Sequence, residues 1–388
     1  MTKVLAPMAS YAELEMLAGN GAEELYCGVV PGEWLDRYTG AVWLNRRSPA
    51  GASFTTLAEL KNAVRDAHGL GIPVFVTLNA PSYTARQTRY VVELARRLEG
   101  EIGVDALVVA DPGLMVSLRE AGVATPLHVS SVASVLNAEA VRFFADLGAA
   151  RIVLPRSLSL PEVTTVIKRS PPGVGFEVFV FNDGCVFDEG FCYTTHHHWV
   201  GAMCLSLVGC AYEFVEINGG GGGGSRRREP GRLSAHLHDY HDWVWTLSGR
   251  GGGFSPTGYP LGPCGLCALP DLAAAGVAAV KIAGREASPF RKLASVKIVR
   301  KVLDRVRAGA ARKDVVQAAR KLKGTPDLCT SGYACYYREL RHRAEDRKRH
   351  EGEGSAPGSL LKNSACGPAC CAGRRLKKRP QMQGDSAQ

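Results

Sequence analysis

The sequence predicts an α/β protein built as a (β/α)8 TIM-like barrel, and three observations predict it. Short β-rich runs recur through the first 185 residues with helical patterns between most of them. An eighth such run, "VAAVKIAG", arrives only after a long excursion. No Gly-rich turn follows the first strand, which removes the main sign of a doubly wound nucleotide-binding sheet, the competing architecture.

The first seven runs are Lys3–Ala6, Glu24–Val29, Pro73–Asn79, Ala106–Asp111, Pro126–Ser131, Arg151–Arg156 and Phe176–Asn182; the eighth is Val277–Gly284. Between them, "SYAELEMLAGNGA", "TLAELKNAVRDAHGLG", "RYVVELARRLEG", "AEAVRFFADLGA" and "LPEVTTVIKR" place apolar residues three and four apart, the period of a helix with one buried face. Several of these end in Gly just before the next strand, as a helix C-cap does. "SPFRKLASVKIVRKVLDRVRAG" supplies the helix after the eighth strand. The barrel therefore occupies residues 1–310, with an insertion at 185–275 between strands seven and eight. That insertion holds "NGGGGGGSRRREPGR", whose six glycines form a flexible spacer, and "HLHDYHDWVWTL", which reads as a short strand or lid element. Residues 311–340 form a helical, cysteine-bearing extension, and residues 341–388 a basic tail of low apolar content that is expected to be disordered.

The bulk numbers fit a globular enzyme: 388 residues, 46% hydrophobic and 22% charged, enough for one large core or two domains. No run of eighteen apolar residues exists, which excludes a membrane-spanning helix. "MTKVLAPMAS" lacks the apolar centre of a signal peptide, so a cytoplasmic protein is expected. In that compartment twelve cysteines argue against a disulfide framework and for metal or redox chemistry. The net charge of +10 admits a polyanion such as RNA, although much of the excess lies in the last fifty residues and in "SRRREPGR".

The cysteines carry the chemistry. "GCVFDEGFCYTTHHHWVGAMCLSLVGC" packs Cys185, Cys192, Cys204, Cys210 and the run His196–His198 into one stretch directly after strand seven, at the barrel's C-terminal mouth. "GPCGLCALPDL" sets Cys264 and Cys267 just before strand eight, which adjoins strand seven in a closed barrel. Thiolates converging on one part of the rim suit an iron–sulfur cluster or a zinc ion, whereas isolated buried cysteines act as small hydrophobes. Only Cys264–Cys267 has the tight spacing of a zinc knuckle; ligands scattered over separate loops suit a [4Fe–4S] cluster as well or better. Adjacent histidines on one loop rarely bind one ion, so His196–His198 read as a hydrogen-bonded or solvent-facing run. Cys329 and Cys335, with Cys366, Cys370 and Cys371 of the tail, are candidates for a second site, and Cys27 is read as packing.

These pieces together resemble the peptidase U32 family, the collagenase-like proteases. The likeness runs in order through "VLAPMASYAELEMLAGNGAEELYCGV", "PVFVTLNA", "ALVVADPGLMVSLRE", "LHVSSVASVLNAEAVRFFADLGAARIVLPRSLSLPEV" and "VKIAGRE", over about residues 3 to 310. The family's E-x-F, C and G-x-C signature falls on Glu177, Phe179, Cys185, Gly190 and Cys192. Two departures stand out: "FNDG" replaces the family's His-Gly-Ala-Leu, and Thr195 replaces a serine. The resemblance implies either an oxygen-independent hydroxylase, acting on an RNA base or a quinone ring, or a peptidase. For the hydroxylase it implies a [4Fe–4S] cluster on Cys185, Cys192, Cys210 and Cys267, with Cys204 and Cys264 as substitutes and zinc as the alternative metal. It further implies prephenate as an oxygen donor and a possible partner protein, the chain then being a catalytic or a non-catalytic subunit. No G-x-S-x-G or H-E-x-x-H occurs to support hydrolysis, although a Cys192–His196 dyad remains open.

Position alone nominates Asn79, Asp111, Ser130, Arg156, Asn182 and Arg285, each at the C-terminal end of a strand. Arg156, Asn182 and Arg285 are the candidate catalytic residues; the two arginines can grip a carboxylate or phosphate bidentately. Glu286 is the natural ion-pair partner of Arg285. An RNA substrate requires basic residues and aromatics at the rim, a quinone an apolar channel. "SRRREPGR" and Arg250, with Trp243, Trp245 and Tyr259 near in sequence, favour RNA.

Overall fold

Eight parallel strands close into a barrel in the computed structural model, which describes residues 1–38, 44–47, 51–185, 189–190, 196–197, 201–202, 238, 242–247 and 250–341. The strands are β1 (Lys3–Pro7), β2 (Glu24–Gly28), β3 (Val74–Leu78), β4 (Ala106–Val109), β5 (Leu127–Val129), β6 (Ala149–Val153), β7 (Gly175–Phe181) and β8 (Ala279–Ile282). Each pairs with the next in sequence, and β8 pairs with β1 in register Lys3–Ala279 to Leu5–Lys281, so no edge is left open. The predicted barrel is thus the observed one.

Alternation along the strands separates two environments. Outward positions such as Leu25, Val76, Val180 and Val280 join the large apolar layer beneath the helices, and Cys27 is packed there. Inward positions form stacked layers: Leu5, Tyr26, Phe75, Ala106, Val108 and Ala279, then Val153, Phe179 and Ala283 nearer the C-terminal mouth. The helices start where their sequences say they must. Thr56 accepts from Glu59 N–H to open Leu57–Gly69, Thr84 and Gln87 form a capping box before Ala85–Arg97, and Asp111 caps Pro112–Glu120. The long helix after β8, Pro289–Arg307, is opened by Ser288 and anchored by the buried pair Lys292–Glu13 at 2.7 Å.

The described residues belong to the unit Met1–Arg341. In it the 311–340 extension is two helices, Arg312–Lys323 and Pro326–Ser331, and a return turn through Gly332, whose φ of 74° lies in the left-handed region. Two differences from the sequence reading appear. Residues 242–247, part of the stretch expected as a short strand or lid element, are helical and so not a strand, with Thr246 Oγ1 donating to the Asp242 carbonyl at 2.7 Å and Val244 and Thr246 buried. The fifth strand ends at Val129, and Ser130, whose N–H still donates to the Val109 carbonyl at 2.7 Å, caps the turn Ser131–Ala133 with its side chain. The glycine spacer, Arg226–Arg228, Cys192, Cys204, Cys210, His198 and the 342–388 tail lie outside the described residues. Among the described residues no helix is long and apolar enough to cross a membrane.

Candidate functional site

A cavity of about 650 Å³ opens at the C-terminal mouth, where the loops after β2, β3, β5, β6, β7 and β8 converge. Five of the six positional candidates line it: Asn79, Ser130, Arg156, Asn182 and Arg285. Asp111 is committed elsewhere, accepting from Gly113 N–H at 2.8 Å and Tyr83 N–H at 2.9 Å. Asn79 and Ser130 bond each other, Nδ2 to Oγ at 3.0 Å, and tie β3 to β5.

The three candidate catalytic residues are incompletely bonded; Asn182 and Arg285 are buried and Arg156 is half-buried. Arg285 is 4% exposed; its Nη2 donates to Asn45 Oδ1 at 2.9 Å and its Nη1 has no partner. Burial, with Arg47 adding to it, lowers its pKa to about 10, so the guanidinium remains charged at neutral pH. Gly28 makes the room: a Cβ there would collide with Arg285 Nη1 and Ser53 Oγ. Arg156 lies over the Phe179 ring at 3.8 Å and donates to Glu189 Oε2 at 2.5 Å, while its Nε and the Glu189 Oε1 have no partner. Burial opposes the charge of Arg156, but Glu189 outweighs it and the pKa is raised. Asn182 donates to Ser295 Oγ, and its Oδ1 is buried without a partner.

Backbone strain collects at this rim. Among the described residues the non-glycine positive-φ positions are Ser134, Asn182 and Asp183, after β5 and β7. Tyr336, from the extension, holds the turn by donating to the carbonyls of Asn182 and Asp183.

Sequence reasoning missed Arg46, Arg47, Lys281 and Arg291, which also line the cavity. Arg47 bridges Asp183 and Glu286, so Glu286 pairs with Arg47 where Arg285 was expected. The "LNRRS" stretch carried no periodicity to place it. Lys281 did leave a signal, a lysine at an inward position of an otherwise apolar strand; its Nζ donates to Glu177 Oε1 at 2.6 Å. The Glu177 of the signature therefore pairs the lysine that lines the mouth. With Arg156 and Arg285, six basic side chains line the cavity against three acidic ones, Asp183, Glu189 and Glu286, among the described residues.

The cysteines divide. Cys185 lines the mouth, close enough to Arg156 to raise its pKa. Cys267 and its substitute Cys264 line a separate small cavity with Cys329 and Cys335. Of the four expected cluster ligands, the described residues thus bring Cys185 alone to the mouth; Cys192 and Cys210 are not among them. No three His, Cys, Asp or Glu side chains among the described residues are gathered, as they stand, around an ion-sized point. Burial keeps the second group protonated, pushing Cys264 up to about 11 and Cys335 to about 12.

Comparison with known proteins follows the same lines. The profile of peptidase family U32 matches residues 9–344. The "tRNA hydroxylation protein P" of Escherichia coli K12 is 28% identical over 190 residues, 49% of this chain and 38% of that protein. The 23S rRNA 5-hydroxycytidine synthase of the same organism is 31% identical over 163 residues, 41% of this chain and 23% of its own length. A collagenase of Porphyromonas gingivalis is 28% identical over 211 residues, 50% of this chain and 45% of that protein. The matches span less than half the length of each of these relatives.

Proposed function

The chain belongs to peptidase family U32, and on that premise we propose that it is a hydroxylase of an RNA base. The observation that carries the reading is the mouth: a cavity of about 650 Å³ whose arginines, Arg285 buried and Arg156 half-buried, are only partly bonded by the protein. A buried guanidinium left short of partners costs free energy unless a ligand supplies them. Arg285 Nη1 and Arg156 Nε offer donors, and Asn182 Oδ1 and Glu189 Oε1 offer acceptors, all from residues lining one space. That set suits a ligand combining an anionic group with N–H donors, as an unstacked nucleotide does. A quinone ring, which needs an apolar channel, fits six basic residues poorly. The named activities of the two Escherichia coli relatives on tRNA and rRNA support the same choice.

The cofactor we propose is a [4Fe–4S] cluster at the rim, with Cys185 as the ligand nearest the cavity and Cys192 and Cys210 completing the loop's share; zinc is the alternative. Bound, it would supply one-electron chemistry. The chain's own residues orient the base: Arg285 and Arg156 hold the anionic group, and Asn182 receives a hydrogen bond. A small carboxylate oxygen donor such as prephenate would use the same arginines. A second reading, hydrolysis of a peptide, is favoured by the collagenase relative.

The test has two arms. Nucleosides from RNA of cells lacking the gene, compared with cells complemented by the wild type or by Arg285→Met, are read by mass spectrometry. A hydroxylated pyrimidine present only with the wild type is expected; an unchanged nucleoside profile together with peptide cleavage by the purified protein establishes the peptidase instead. Anaerobically purified protein should be brown, with about four irons per chain, colour lost in Cys185→Ala and kept in Cys366→Ala. A colourless wild-type protein overturns the cluster.

A further inference from the structure

We propose that Cys264, Cys267, Cys329 and Cys335 form a second metal site, a four-thiolate site for a single zinc-type divalent cation that fastens the C-terminal extension to the barrel. Its cavity is distinct from the mouth, with Cys335 alone of the four also lining a neighbouring pocket beside Cys185, and the proposal does not depend on the hydroxylase reading.

Two chain segments distant in sequence build it. Cys264 leaves the stretch paired with the end of β7, where Gly265 N–H donates to the Val180 carbonyl at 2.7 Å. The turn Leu266–Ala268 then carries Cys267. This is the tight two-residue spacing of a zinc knuckle, and Leu266 N–H points at the Cys264 sulfur, the bond that supports a knuckle thiolate. Cys329 comes from the helix Pro326–Ser331, and Gly332 reverses the chain so that Cys335 forms a β-bridge with Cys264. The bridge is fixed by Cys264 N–H to Ala334 carbonyl at 2.8 Å and Tyr336 N–H to Cys264 carbonyl at 3.1 Å. All four are free thiols lining one cavity of about 40 Å³, and every one of the six thiol pairs lies within electrostatic reach. That volume suits one ion. The sulfurs as they stand are not drawn together around an ion, so binding requires them to move.

The charge around the cavity points the same way. Four thiolates on a divalent ion carry a net charge of about minus two. Lys323, 2% exposed, lines the cavity, and its ammonium donates to the Pro260 and Gly262 carbonyls with no carboxylate pairing it among the described residues. Arg320 donates towards Cys267, and Arg341 lines the same cavity. A metal–thiolate group there would set a negative charge beside these basic side chains.

The experiment uses the full chain purified with zinc, measured for metal and for alkylation of each cysteine by iodoacetamide with peptide mass mapping. About one zinc per chain is expected, with Cys264, Cys267, Cys329 and Cys335 protected together and labelled together once a chelator strips the metal. Cobalt(II) added to the stripped chain should give the intense visible bands of tetrahedral thiolate ligation, at one equivalent. Cys329→Ser and Cys335→Ser should each lose the zinc while keeping any iron, and Cys185→Ser should keep the zinc. Labelling unaffected by chelator, or released only by a reductant, overturns the proposal, the latter by showing disulfides. Because protection is read on the wild-type chain, the test survives a variant that fails to fold.

Discussion

The barrel of this protein buries charge at two levels, and the two are handled differently. In the lower part, Arg151 holds Glu24 through Nη1 at 2.6 Å and Nη2 at 3.1 Å, and Lys281 holds Glu177 at 2.6 Å. At the mouth, Arg285, Arg156, Asn182 and Glu189 each keep a buried polar atom without a partner. The closed pairs lie on the strands, with Lys281 reaching the mouth cavity, and the open groups stand on the loops just beyond; both are largely removed from solvent, so burial alone does not distinguish them. What differs is closure. A completed ion pair serves stability; an incomplete one holds capacity for a ligand.

The largest effect is expected from breaking the closed level. Glu177→Ala strands Lys281 in the barrel interior and should lower unfolding free energy by about 3–5 kcal/mol in denaturant titration. A loss under about 1 kcal/mol would show that water already reaches that level.

The open level should respond in the opposite sense. Arg285→Met removes a buried charge whose bonds are half made, so stability should hold or rise while activity or ligand affinity falls about 10- to 100-fold, the worth of a charge-assisted hydrogen bond. Gly28→Ala should reproduce that loss without touching the arginine's chemistry, because its Cβ displaces the guanidinium. An Arg285→Met chain that unfolds as readily as Glu177→Ala would erase the distinction between the levels.

A smaller, pH-dependent effect sharpens it. His128, buried with its ring against Phe75 at 4.6 Å, has its pKa held well below 6.5 by burial first and then by Arg151 and Lys281. The folded chain therefore binds fewer protons than the unfolded one once pH drops below about 6.5, and stability should fall there by about 1.4 kcal/mol per pH unit. In His128→Phe that slope should flatten, which denaturation at pH 7.5, 6.5 and 5.5, set here as about evenly spaced points across that window, will show.

The smallest expected effect concerns the basic stretch of the insertion. Reversing Arg226, Arg227 and Arg228 to glutamate should weaken RNA retention and reduce its salt slope by about two, if those residues meet phosphates of a single strand. An unchanged slope removes them from the RNA surface.

Much of this was legible without coordinates. The alternation of apolar strands and amphipathic helices fixed the barrel, and strand ends nominated Asn79, Ser130, Arg156, Asn182 and Arg285 because parallel strands must all finish at one rim. Position could not tell a cap from a cavity wall, which is why Asp111 was nominated beside them. Arg47 was invisible because its loop has no period, and its partners, Asp183 and Glu286, lie 136 and 239 residues away.

The sequence by itself determined the strand count, the direction of the mouth and the kinds of atom gathered there, since periodicity and strand ends are local properties of the chain. Only the tertiary structure decided which charges are closed and which stay open. It also decided that Cys267 keeps company with Cys329 and Cys335 across a separate cavity from Cys185. The physical reason is that pairing depends on distance in space, and barrel closure brings together residues that no spacing along the chain relates.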